Sequence, residues 1–301
     1  CATLQEIDGH LISNNLVYLG GGTYVAAAGI TIPVGVLIIG YYQTRDDLND
    51  TIGSANRPKI LAGANGVTLL TMSTVNGQGY RHLIIDGNKA TYTGTAGVSG
   101  NVQSDWHDVD FVNCANAGIS SNSACLNRCM VDSNGAESVA FSMNACTISR
   151  NVNGCRAGGA SVGSVTNSLI HSNTGVGIRL DANAANVSGN TFADNTGTAL
   201  ALNFVSGKIV VENNVFYGNG IWFTGPTTGA VRALVLGNAV GSSGTATGKL
   251  DEALTITLSG DPFVDRSADD FRIDASSAAG QQIRSAGFST AGGGRSSGSF
   301  D

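Results

Sequence analysis

The sequence predicts an all-β fold: a single-stranded parallel β-helix, a solenoid of short strands stacked rung upon rung, with a C-terminal cap. Three observations carry that expectation. A phrase of asparagine, any residue and an apolar residue returns every twenty-odd positions. Apolar residues within each unit alternate, and the composition is crowded with residues that suit strands and tight bends.

The phrase reads Asn127-Arg-Cys129, Asn144-Ala-Cys146, Asn167-Ser-Leu169, Asn190-Thr-Phe192, Asn214-Val-Phe216 and Asn238-Ala-Val240, at steps of 17, 23, 23, 24 and 24 residues. A second asparagine accompanies it at Asn134, Asn151, Asn173, Asn195 and Asn219. A period in the low twenties marks a solenoid, in which one repeat cannot bury its own apolar face without neighbours. Leucine-rich repeats share the length, but their fixed leucine pattern is missing. The pairs Ile178/Leu180, Leu200/Leu202 and Ile221/Phe223 have the period of a strand. Strands stacked in parallel advance by about 4.8 Å per rung. The asparagines are therefore architectural. They tolerate the left-handed backbone of a sharp bend, and their amides can hydrogen-bond from rung to rung.

Composition narrows the function. The 301 residues include 42 Gly and only 4 Pro, and 42% are hydrophobic, enough for a continuous core. A net charge of -6 without a Lys/Arg cluster argues against nucleic acid as a partner. The longest apolar stretch, ITIPVGVLIIGYY (30–42), is too short for a transmembrane helix, contains Pro33 and alternates like a strand. Six cysteines form no metal pattern. Cys129 and Cys146 fall at equivalent repeat positions, which predicts stacked buried thiols or one disulfide. Cys1 is compatible with a processed or lipidated terminus.

Taken in order, residues 1–15 cover the first rung, and 16–100 form longer rungs with loops at 43–58 and 88–101. Regular rungs follow from about 102 to 245, making nine or ten in all. One domain is expected: a β-helix over 1–248, a capping segment over 249–290 that folds across the open end, and a flexible tail at 291–301. A bare terminal rung would offer unpaired backbone groups to other chains, hence the cap.

The phrases NSLIHSNTGVGIRL (167–180) and NTFADNTGTALAL (190–202) resemble the repeats of right-handed parallel β-helix proteins of the pectate-lyase-like superfamily. LVYLGGGTYVAAAGITIPVGVLIIG (16–40) resembles their first rungs, and DPFVDRSADDFRIDASSAAG (261–280) the segment that often closes bacterial members. The resemblance covers roughly 15 to 280 and implies a right-handed coil. It says little about function, because the superfamily includes lyases, hydrolases, epimerases, phage tailspikes and inert surface proteins. The chain lacks the Gly-His-Gly phrase of polygalacturonase-type hydrolases.

Two constellations are candidate sites. With Val139, Cys155, Ile178, Leu200 and Ile221 aligned as inward residues, the next position gives an outward row of Ala140, Arg156, Arg179, Ala201 and Trp222. Two residues further lie Ser142, Gly158, Asp181, Asn203 and Thr224. Arg156, Arg179, Asp181, Asn203 and Trp222 thus make a substrate-binding patch, with the ring as a sugar platform and the polar groups meeting hydroxyls or carboxylates. The same residues also read as an ordinary surface ion pair beside an unrelated tryptophan.

The second constellation is SDWHDVDF (104–111). With Val109 and Phe111 inward, Trp106, Asp108 and Asp110 point outward, with His82 beside Asp108 and Arg128 beside Asp110 on neighbouring rungs. Two carboxylates two residues apart are separated by ~6.5–7 Å at Cα, within the roughly 5–9.5 Å range of glycosidase acid/base pairs. An ordinary charge ladder between rungs fits equally well. The catalytic candidates are Asp108, Asp110, Arg179 and Asp181; Trp106 and His82 join the substrate-binding set, and no metal site is expected.

Two functions follow. One is a non-enzymatic, exposed structural or adhesive element of a virion or cell surface that contacts a polysaccharide or surface glycan, with other structural subunits as further partners and no cofactor. The other is a polysaccharide lyase or glycoside hydrolase acting on an extracellular polysaccharide; under the lyase reading alone, Ca²⁺ is the cofactor the resemblance implies.

Overall fold

The computed structural model describes residues 8, 11–41, 57–73, 78–100, 103–157, 162–181, 184–203, 207–225, 233–241, 244–248 and 250–286. Cys1, Gly158, most of the 43–58 loop and the 291–301 tail lie outside the described residues.

Each regular rung spends three short strands. One runs Val162–Thr166, Leu169–His171 and Ile178–Leu180; the next runs Ala184–Ser188, Thr191–Ala193 and Thr198–Leu202. Like strands pair in parallel, giving three sheets of eleven, eleven and ten strands among the described residues. Inward residues stack in columns: Val165 on Val187, Ile170 on Phe192, Ile178 on Leu200, all with no exposed surface. Phe192 and Phe216 continue one column as stacked rings with centroids 4.7 Å apart.

The corner between the first and second sheets is made by one residue in the left-handed region. His82, Asp108, Arg128, Ala145, Asn167 and Asn213 hold it with φ between 50° and 57°, and Gly189 with φ 66°. None of these is β-branched, as the steric cost of that conformation requires. Such a corner also breaks the alternation of side chains, so inward and outward parity starts afresh in the next strand.

The buried asparagines sit one position after these corners. Asn190 donates its Nδ2 to Oδ1 of Asn214 at 2.9 Å, and Asn214 to Asn238 at 3.0 Å. A second ladder links Asn134, Asn151, Asn173, Asn195 and Asn219 at 2.8–3.1 Å. Each Oδ1 also accepts the backbone N–H of the preceding asparagine, and the remaining Nδ2 hydrogen reaches an interior carbonyl, as Asn195 does to Ile170. No buried amide hydrogen is orphaned along the run, where each orphan costs about 1–3 kcal/mol.

The repeat phrase needs one correction. Leu169 pairs with Thr191, so Ser168 and not Asn167 stands under Asn190. Asn167 is the corner residue itself, and Asn127 and Asn144 end strands of the first sheet, on the outside. Cys129 and Cys146 do share the ladder position, following the corner residues Arg128 and Ala145. They are buried free thiols, as are Cys114 and Cys155.

The C-terminal segment differs from expectation. Leu250–Ala253 and Ile256–Thr257 still belong to the solenoid, pairing with Ala233–Leu236 and Ala239–Val240. The rest does not fold across the open end. Phe263–Asp265 and Asp270–Ile273 form an antiparallel pair, followed by a helix at Ala278–Ser285 whose N-terminus is capped by Ser277. Their apolar side chains pack on outward-facing Leu169, Ala193, Val215 and Ala239 of the second sheet. That face is apolar in these rungs and gains by being covered. The segment is a lateral strap.

Candidate functional site

The third sheet carries the charged cluster. Register pairs Cys155 with Ile178 and Leu200 on the inside, and Arg156 with Arg179 and Ala201 on the outside. Asp181 directly follows the strand Ile178–Leu180, and Asn203 follows the pairing of Leu180 with Leu202, so the two are adjacent in register. The two arginines and Asp181 meet as the alternation predicts. Asp181 Oδ2 lies 3.2 Å from Arg179 Nε and 3.5 Å from Arg156 Nη1.

Glu137 completes the cluster and sequence alignment missed it. Its Oε2 accepts from Arg179 Nη2 at 2.7 Å. It sits two residues before Val139, which pairs with Arg156; aligning Val139 as an inward residue hid that neighbour. The side chains of Glu137, Arg156, Arg179 and Asp181 are 18–32% exposed, open to a ligand yet partly withdrawn from water. Burial pushes the Glu137 carboxyl upward; Arg179 and Arg156 pull it back, and Asp181 adds to the rise. Two guanidiniums and two carboxylates balance in charge.

Trp222 is not part of this cluster. Thr224, not Trp222, occupies the register position over Ala201, while Phe223 lies on Leu200. Trp222 is partly buried against the core, and among the described residues its indole N–H has no hydrogen-bond partner. Ile221 was aligned with the inward residues, two positions out of step.

The second constellation is structural. Trp106, expected outside, is fully buried and stacks on Tyr80 with centroids 3.9 Å apart. Asp108 and Asp110 are only 5% and 1% exposed. The cause is the left-handed corner at Asp108, φ 54°, which lets Trp106, Val109 and Phe111 all face inward. Asp108 is held by Arg128, Nη2 to Oδ2 at 2.6 Å, with His82 Nδ1 3.7 Å away. The expected His82 neighbour is present; Arg128 serves Asp108 and not Asp110. Asp110 instead pairs with buried Arg57, which also donates to the carbonyls of Leu83 and Asp108. Neither carboxylate is presented to a polymeric substrate.

Among the described residues, no group of three His, Cys, Asp or Glu side chains is arranged to hold a metal ion. The Ca²⁺ implied by the lyase resemblance has no such set to bind, and no step is routed through it. No helix among them is long and apolar enough to cross a membrane.

Comparison with known proteins agrees on the fold. Residues 136–240 match the family model described as the right handed beta helix region. No curated protein matches the sequence. ORF18 of Geobacillus virus E2 is similar in structure at 15% identity with a TM-score of 0.48, covering 84% of this chain. This chain spans 55% of that protein's length. The A-module of Azotobacter vinelandii mannuronan C-5 epimerase AlgE6 has 14% identity and a TM-score of 0.37, over 85% of this chain and 93% of that one. The periplasmic alginate epimerase AlgG has 13% identity and a TM-score of 0.33, over 79% and 71%.

Proposed function

We propose that this right-handed parallel β-helix is a non-enzymatic, surface-exposed element of a virion or bacterial cell, and that it contacts polysaccharide through the outer face of its third sheet. One observation carries the reading. Arg179 is clamped between Glu137 at 2.7 Å and Asp181 at 3.2 Å, with Arg156 sharing Asp181, on stacked rungs and in partial contact with solvent.

Exposed ion pairs add little to stability, about 0–1 kcal/mol each. Their consequence here is orientation. The clamp fixes the planar guanidiniums before a ligand arrives, which lowers the ordering cost of binding. Hydroxyl groups of a sugar find both donors and acceptors there, and the rung spacing of about 4.8 Å repeats along the axis, suiting a ligand that is itself a repeat. With both carboxylates engaged by arginine, the cluster offers recognition more readily than proton transfer.

The alternative, a polysaccharide lyase or glycoside hydrolase at the same face, draws on Glu137, whose burial raises its carboxyl while Asp181 beside it accepts from two arginines. Unequal carboxyl pairs of this kind serve as acid and base in glycosidases. The test is an array of neutral and uronate-containing polysaccharides assayed for retention and for newly formed reducing or unsaturated ends. Retention without product supports the proposal; product that disappears in Glu137→Gln establishes the enzyme instead, and neither retention nor product rejects both.

A further inference from the structure

The strap of residues 258–286 covers His171. This histidine ends the strand Leu169–His171 and points out of the solenoid, yet it has no exposed surface. The Phe271 ring lies over it with centroids 4.7 Å apart. Its Nδ1 lies 3.1 Å from Ser172 Oγ and 3.7 Å from Asp269 Oδ1. Its Nε2 is buried and, among the described residues, has no hydrogen-bond partner. Arg150, one rung back, reaches the same Asp269 at 3.3 Å and holds Asp132 at 2.9 Å.

That surrounding suits a neutral ring. A second N–H would find no acceptor at Nε2, and the new charge would sit in an apolar pocket near Arg150. We propose that the strap is an acid-released latch with His171 as its trigger: protonation of the ring undocks residues 258–286 and uncovers the apolar outer face of the second sheet around Leu169, Val215 and Ala239.

The charged groups facing the ring are Asp269 from the strap and Arg150 and Asp132 from the neighbouring rung. Burial outweighs the attraction of Asp269 and moves the ring from the ordinary 6.5 down to about 4. A docked-state value below the undocked one makes docking strongest above pH 6.5, with progressive loss as pH falls toward 4. Asp194, paired with Arg266 elsewhere in the strap contact, works the other way, since burial raises its carboxyl and protonation favours the docked form. Substitution at His171 separates the two.

The experiment is amide hydrogen exchange on the full chain at pH 7 and pH 5, expressed as protection factors so that intrinsic exchange rates cancel. Strap amides in the wild type should open about 20-fold more readily at pH 5 by linkage, while interior strands such as Thr191–Ala193 keep their protection. His171→Phe retains the ring packing against Phe271 and should reduce that change to less than about twofold. His171→Gln, polar and unable to titrate, gives the same readout where the phenyl ring disturbs folding. Equal strap protection at both pH values in the wild type overturns the proposal, as does a full pH response in the two variants.

Discussion

Arg179 donates from Nη2 to Glu137 at 2.7 Å while its Nε donates to Asp181 at 3.2 Å, so one guanidinium ties together two carboxylates from different rungs. If this clamp is the contact with polysaccharide, Arg179→Ala should weaken binding by about 10- to 100-fold, the worth of a hydrogen bond to a charged group. Glu137→Gln keeps an acceptor for Arg179 and should cost only severalfold. Both are read by titration calorimetry with a polysaccharide retained by the wild type, alongside melting curves that stay within about 0.5 kcal/mol of wild type, as expected for surface positions.

The inner ladder should behave differently from the asparagines outside. Asn195 accepts from the backbone and side chain of Asn173 and donates to Asn219. Asn195→Ala strands the Asn173 donors in the core, and urea melts should show a loss of about 3 kcal/mol or more from the orphaned groups. Asn144 is exposed at the end of a first-sheet strand; Asn144→Ala should stay within about 0.5 kcal/mol.

Asp110 and Arg57 form an ion pair with both side chains about 1% exposed. Breaking a buried pair from one side leaves the other charge uncompensated, at about 3–5 kcal/mol. Asp110→Asn should therefore lower stability by that order without altering glycan binding. Loss of binding in a variant that still melts cooperatively would return Asp110 to the list of contact residues.

Trp222 provides an opposite control. Because it packs partly against the core, away from the Arg156 and Arg179 register, Trp222→Ala should lower the melting temperature while leaving glycan affinity within about twofold. Selective loss of affinity would reinstate the ring as a sugar platform.

The solenoid was legible because its signal is periodic. Apolar residues alternate and asparagines recur, and a rung-sized period admits few other architectures. What alternation does not encode is the corner. A single left-handed residue such as Asp108 resets parity, so Trp106 lies inside where counting placed it outside. Unequal rung lengths have a related effect, and slipped the Asn167 phrase by one position and Trp222 by two. Arg156, Arg179 and Asp181 were found because they lie on neighbouring rungs of regular length. Glu137 was lost to the shorter rung before them, and Arg57 reaches Asp110 from a distant loop that carries no periodic mark. The strap docks sideways because the second sheet is apolar outside at Leu169, Ala193, Val215 and Ala239. Those residues are visible in the sequence, but their outward sense depends on the same corners.

The most direct test of the central claim is a paired measurement on one polysaccharide with wild type and an Arg156→Ala, Arg179→Ala double variant, recording equilibrium binding and product release together. The account predicts saturable binding by the wild type with intact polysaccharide recovered, and loss of that binding in a double variant whose melting curve is close to wild type. Undiminished binding by the double variant, or cleavage of the polysaccharide by the wild type, would contradict it.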